Sequence, residues 1–355
     1  MFILEQVVAG LAAGASYGLL GLAIVIVMKS TDVPNFAAAE IGLIGAYICW
    51  TLTASAGGPR WGFLPSVLAG LTASALVGVL VQILVMRPFA GLSSVPLAIV
   101  ASICVGIVGV TTVWTPTAFA AMGNLALPLA ALISLGVAAL IFVVIRYGIP
   151  ASLRADHFAL LLVTIGVVFV LSAIIHSLWG SEPRALPTPW AGGSIRVFRF
   201  SVGYGQLITI AGGFAVAIGL GAFFRTSYGV QMRAIAEDSS TARLLGINSG
   251  RISMMAWAIG GMIAALALIL KTSETLLEPG AGATLILSGF IAATLGGFTS
   301  LRGAFFGGVI VGIGEALAGS LIDSRLQPTI ALLVVVVTLL LLPGGLTSEK
   351  KRRQI

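Results

Sequence analysis

Glu40 and Glu315 are the ionisable residues that fall clearly inside apolar stretches of bilayer-spanning length. An acid in that setting is a functional candidate by default, because hydrocarbon penalises charge. Glu40 closes VPNFAAAE, residues 33–40. Pro34 removes a backbone donor and clashes with a continuing helical turn. Asn35 can bond the backbone groups so freed. Broken helices are tolerated at membrane depth where they line a cavity. Asn35, Phe36 and Glu40 are therefore candidates for a translocation path, and a plain loop followed by a helix is the competing reading. Glu315 stands in GGVIVGIGEALAG, residues 307–319, among five glycines. It suits an inter-helix hydrogen bond or ion pair, or a place on a substrate path.

Other chemistry is absent. The sequence contains no GxxxxGK[ST] loop, so it cannot hydrolyse nucleotide by that route, and it contains no HExxH. His157 and His176 sit near the two ends of one span, about 28 Å apart on a straight helix, too far to share a metal. Cys49 and Cys104 lie in apolar stretches and read as small buried hydrophobes. We expect no metal, no cofactor and no catalysis.

One segment carries dense polar chemistry. RAIAEDSSTARLLGINSGR, residues 233–251, crowds charges and small polar residues into an otherwise apolar chain. Thr226 or Ser227 can cap a short helix across 229–237. Asp238, Ser239 or Ser240 can cap a second helix ending at Leu245, with Gly246 as its left-handed stop. Asn248-Ser249-Gly250 reads as a turn before the next span. The bland reading is a cationic loop held at lipid headgroups. The sharper one is a protrusion, with an alanine face at Ala234, Ala236 and Ala242, that a soluble ATPase could grip.

The elements that position these residues are membrane helices. Hydrophobic residues make up 58% of the chain and charged ones 9%, against about 25% charged in soluble proteins. Mean hydropathy is +1.11. Apolar runs separated by GGPR (57–60), RP (87–88), PRALPTPW (183–190) and LPGG (342–345) predict eleven spans. They fall near 7–28, 38–54, 65–85, 95–115, 127–145, 158–178, 205–223, 252–270, 282–299, 304–321 and 328–343. The second and ninth are short enough to be broken or re-entrant. The 45 glycines suit helices that approach closely. The fold class is all-α, a polytopic transmembrane bundle of about 9–11 spans forming one domain over residues 1–355. The N-terminal MFILEQVVAG reads as a retained first span.

Alternate loops divide the 19 Lys and Arg as 13 against 6. Residues 225–251 and the tail fall on the rich side, which puts both in the cytoplasm by the positive-inside rule. Residues 86–110 and 145–170 resemble each other, as shared composition or a local duplication would make them.

The segment RAIAEDSSTARLLGINSGRI resembles the coupling loop of branched-chain amino acid ABC transporter permeases of the LivH type. YGLLGLAIVIVMKSTDVPNFAAAEIGLIGAY (17–47), WGSEPRALP (179–187) and PGAGATLILSGFIAATLGGFTSLRGAFFGGVIVGIGEAL (279–317) resemble other parts of that family in the same order. The resemblance implies an ABC importer permease at the bacterial inner membrane. Its implied partners are ATP-binding subunits, a sister permease, an extracytoplasmic solute-binding protein and the lipid bilayer, and not nucleic acid. It makes 225–251 the cytoplasmic coupling loop, with Arg233, Ala234, Glu237, Asp238, Ala242, Arg243, Leu245 and Gly246 as contacts to the ATPase. Gly296 and Gly297 join Asn35, Phe36, Glu40 and Glu315 as candidate path residues. Departures are Ala37–Ala39 before the Glu, the closing LPGGL, and extra length near 88–145. Branched-chain amino acids are the family's default substrate, with urea or short amides as alternatives. A different class, an ion-coupled carrier acting alone, would need Glu40 or Glu315 and no ATPase.

Overall fold

The computed structural model describes residues 2–54, 61–87, 157–197, 200–298 and 300–321, with isolated helical positions at 333, 336, 337 and 340. Helices α1 (Phe2–Thr31), α2 (Ala38–Ala54) and α3 (Phe63–Leu80) come first, α3 being prolonged by a π-helical turn, Val81–Met86. Then follow α4 (His157–Trp179), a hairpin of β1 (Ser194–Val197) and β2 (Phe200–Gly203), and α5 (Tyr204–Phe223). Short helices α6 (Ser227–Glu237) and α7 (Ser239–Leu244) precede α8 (Ser249–Thr272), α9 (Ala281–Gly296) and α10 (Leu301–Leu321). Six of these helices are long and apolar enough to cross a membrane, and α2 and α9 are shorter apolar helices. They coincide with eight of the eleven expected spans. The spans expected at 95–115, 127–145 and 328–343, and most of the 86–110 and 145–170 resemblance, lie outside the described residues.

Helix α1 is the axis of the bundle. It is apolar on every side, and 83% of its most apolar window is buried, against 22% for α4. Such a helix belongs at the centre, enclosed by other helices. Its neighbours are α10, α8, α9 and α5. Gly10, Gly14 and Gly18, spaced four apart, form a flat stripe against Gly308 and Gly312 of α10. A methyl group on Gly14 would come within 2.7 Å of the Gly308 carbonyl. Small residues are what bring backbones this close, since lipid supplies no hydrophobic force between helices.

The α1–α2 connection is buried inside the bundle. Thr31 ends α1, Asp32 turns the chain at φ +59°, and Val33, Asn35 and Ala37 are all buried. The Asn35 Oδ1 accepts the Ala37 amide at 2.9 Å, satisfying a backbone donor just ahead of α2. Ser253 of α8 donates to the Ser30 carbonyl at 3.2 Å, whereas Gly42 lies against Ala264, eleven residues further along α8. Helix α2 therefore begins about 10 Å deeper in the bundle than α1 ends. That is why it is short.

The hairpin is an addition to the all-helical expectation. Its strands pair antiparallel, Ser194 opposite Gly203 and Val197 opposite Phe200. The preceding loop is tied to the α8–α9 loop by reciprocal backbone bonds between Arg184 and Leu277, at 3.0 and 2.8 Å. This hairpin end lies opposite the end that carries α6 and α7.

Candidate functional site

Two regions matter, the capped helix pair α6–α7 and the interior around the α1–α2 break. The pair is built by local chemistry. Thr226 caps α6, its hydroxyl accepting the Gly229 amide at 3.4 Å. Asp238 caps α7 more tightly. One carboxylate oxygen accepts the Ser240 and Thr241 amides at 2.9 and 3.1 Å. The Ser240 and Thr241 hydroxyls donate at 2.6 and 2.5 Å. The Ser240 hydroxyl first, then the Thr241 hydroxyl and both amides, hold this carboxyl well below the usual carboxylate range. At the other end Gly246 takes φ +82°. Its amide bonds the Arg243 carbonyl and the Ile247 amide bonds the Ala242 carbonyl, both at 3.0 Å, the paired bonds of a left-handed helix stop. Asn248 caps α8 through the Arg251 amide at 3.1 Å, doing more than the simple turn expected there.

The outward surface of the pair differs from the expected alanine face. Ala242 is 2% exposed and packs inward with Met232 and Ile235, and Ala234 is half-buried. On a two-turn helix the small residue is the one that fits against the bundle. Leu244 and Leu245 instead stand 87% and 76% exposed. Glu237, Asp238, Arg243 and Gly246 are exposed as well, and of the expected alanine face only Ala236 is exposed. Arg233 folds back to donate to the Phe224 carbonyl at 3.0 Å, so it satisfies the end of α5 as well as facing solvent.

In the interior, Phe36 stacks on Phe290 of α9 with centroids 4.1 Å apart, and Phe290 neighbours Phe298. Gly297, at φ +84°, ends α9. Gly296 lies hard against Gly303 and Ala304 at the start of α10. Glu40 is 2% exposed, and its carboxyl faces Gly282 in the first turn of α9, where a side chain would collide with it. Its Oε2 has no partner among the described residues. The break is thus brought against α9: Phe36 meets its middle and Glu40 its first turn, while Gly296 and Gly297 lie at its far end, about 20 Å from Gly282 on a straight helix.

Glu315 is elsewhere. It is half-buried and within electrostatic reach of the Tyr17 hydroxyl of α1 and of Lys271. The Lys271 amine lies 5.7 Å from the centre of the Tyr17 ring and also interacts with Glu274. Sequence reasoning missed Tyr17, Lys271 and Glu274 as a group, because Lys271 reads as a loop charge at the end of a span. His176 is exposed, with Nδ1 2.8 Å from the Ser172 carbonyl, and Cys49 is a buried free thiol. Among the described residues no group of acids, histidines and cysteines could hold a metal.

The family described as branched-chain amino acid transport system / permease component matches residues 92–343. The chain belongs to this permease family. The permease is 25% identical over 334 residues to the high-affinity branched-chain amino acid transport system permease protein BraD of Pseudomonas aeruginosa, covering 92% of this chain and 90% of that one. It is 25% identical over 342 residues to the corresponding LivH protein of Salmonella typhimurium, covering 94% and 92%. It is 33% identical to Escherichia coli LivH over 182 residues, 49% of this chain and 59% of that one. No solved structure matches. The permease is accordingly a multi-pass helical membrane protein of a transport system.

Proposed function

We propose that this permease forms the translocation path of an ABC importer for branched-chain amino acids and that residues 225–251 are its cytoplasmic coupling loop. The observation that carries the proposal is the α6–α7 pair: closed by caps at both ends, pinned inward by Met232, Ile235 and Ala242, and presenting Leu244 and Leu245 to solvent. A slack headgroup loop has no need of such order. Two bare leucines next to Arg243 suit a groove on a soluble partner. The names of the relatives support the substrate.

On this reading ATP is hydrolysed on separate subunits, which move the bundle by pushing on α7. A sister permease completes the pore, and a solute-binding protein delivers substrate at the hairpin end. The C-terminus lies with α6 and α7 in the cytoplasm. Asn35, Phe36, Glu40, Gly296 and Gly297 border the path, and Glu315 braces α10 on α1.

Gly246→Val tests the coupling. A β-branched residue at φ +82° is strained, so the substitution deforms the stop behind Leu245. In the importer reconstituted in vesicles we expect ATP hydrolysis to persist while leucine uptake falls at least about tenfold, since a misplaced contact wastes the stroke. Normal uptake would count against the docking role. Uptake driven by an ion gradient with no ATPase present would favour a carrier working alone.

A further inference from the structure

Helix α9 is 16 residues long and starts without a side-chain cap. The Ala281 amide bonds the Glu278 carbonyl at 3.1 Å. The next two amides, of Gly282 and Ala283, find no partner among the described residues. A bare helix N-terminus attracts anions, through its free amides and its dipole. Here it is paired with the enclosed carboxyl of Glu40, whose Oε2 has no partner among the described residues.

Glu40 is not acting as the cap of α9. The Asp238 cap of α7 shows what a capping carboxylate does in this molecule: it accepts two first-turn amides within 3.1 Å. Glu40 approaches the turn and makes no such bond. Seven residues on, and so on the same face of α2, Tyr47 is fully buried with its hydroxyl also unpartnered among the described residues. Beyond it, towards the hairpin end, Tyr47 stacks on Trp179, and Arg184 lies over Trp50 at 4.4 Å. One face of α2 thus carries two unsatisfied polar groups in line, ending at α9. Each is costly to bury without a partner, which points to a partner that comes and goes.

We propose that Glu40 and the open first turn of α9 form a binding site for the main-chain zwitterion of an α-amino acid in transit. The Glu40 carboxylate takes the ammonium group, and the amides of Gly282 and Ala283 take the carboxylate. Opposite charges a bond or two apart on the ligand match opposite charges side by side in the protein. The ammonium screens the two carboxylates from each other. Tyr47 is a station on the way in. This site rests on the importer reading above and names the group by which that path recognises its substrate.

The test uses the complete importer in proteoliposomes, with leucine uptake and ATP hydrolysis stimulated by the loaded binding protein measured together. Glu40→Gln keeps the shape and removes the charge. We expect uptake to fall about tenfold or more, as for loss of a hydrogen bond to a charged group, with stimulated hydrolysis within about twofold of wild type because the coupling surface is untouched. Gly282→Ala, which drives a methyl group into the Glu40 carboxyl, is expected to reduce uptake as well. The shorter acid in Gly282→Ala/Glu40→Asp should restore part of it. Leucine uptake unchanged in Glu40→Gln overturns the site while leaving the importer reading intact. Parallel loss of uptake and hydrolysis in both single variants, without rescue, makes Glu40 a packing residue and also overturns it. A wild-type importer that carries urea and not leucine, with Glu40→Gln unaffected, overturns both.

Discussion

Asp238 shows how much one side chain does when its neighbours are chosen for it. Four short hydrogen bonds from two successive residues hold its carboxylate in the charged form. Its native pKa therefore lies below its unfolded value. The stabilisation it lends α7 is complete above the unfolded pKa and is lost as the pH falls from there towards the native one. Hydrogen-exchange protection factors for residues 241–245 should accordingly hold constant from pH 7 to pH 5 and drop only under more acid conditions. Asp238→Ala should show the low protection at every pH. A loss of protection between pH 7 and pH 5 in the native chain would contradict the assignment. Glu40, the same chemistry in a different place, has an Oε2 with no partner among the described residues, and on our proposal that contrast separates a structural carboxylate from one that binds a solute.

Among the elements, the α1–α10 seam decides how the bundle holds together. Helices packed through glycine stripes cannot absorb even one carbon. Gly14→Ala, with its methyl group 2.7 Å from the Gly308 carbonyl, should destabilise the permease by about 1–3 kcal/mol, the usual cost of overpacking. Gly219→Ala on α5 is the control, since a methyl there meets nothing within 4 Å among the described residues. Thermal unfolding in one detergent should separate the two, and equal melting temperatures would show that the seam yields. The short helices α2 and α9 follow a different rule. Pro34 stands ahead of the start of α2 and the left-handed Gly297 ends α9, both half-buried in the bundle.

For the molecule as a whole, the question is which end faces which side. On the proposed reading, the excess of Lys and Arg in 225–251 and in the tail puts α6 and α7 in the cytoplasm. With Cys49 and Cys104 replaced by alanine, Ser194→Cys on the hairpin should react with a membrane-impermeant maleimide added outside intact cells. Glu237→Cys on α6 should react only after the membrane is opened. Reaction of both from one side would break the two-ended arrangement, and the reverse pattern would invert it.

What was legible in the sequence was local. Apolar run lengths placed eight helices within a few residues, because a bilayer sets the length of what crosses it. Caps and stops at Thr226, Asp238 and Gly246 could be read because each acts on backbone groups a few residues away, whereas Asn248 read as a turn and proved to be the cap of α8. The sequence by itself determined a membrane bundle with an ordered polar protrusion, and it left open whether residues 33–40 break a helix or form a plain loop before one; the structure shows a buried connection followed by an unbroken α2. Only the tertiary structure decided what those elements touch. It turned Ala242 inward and left Leu244 and Leu245 out. It gathered Tyr17, Lys271 and Glu315 from three helices, and it set the Glu40 carboxyl against Gly282, some 240 residues away in the chain. Those pairings depend on the depth and rotation of each helix in the bundle. Close packing of small residues fixes both, and no local spacing encodes them.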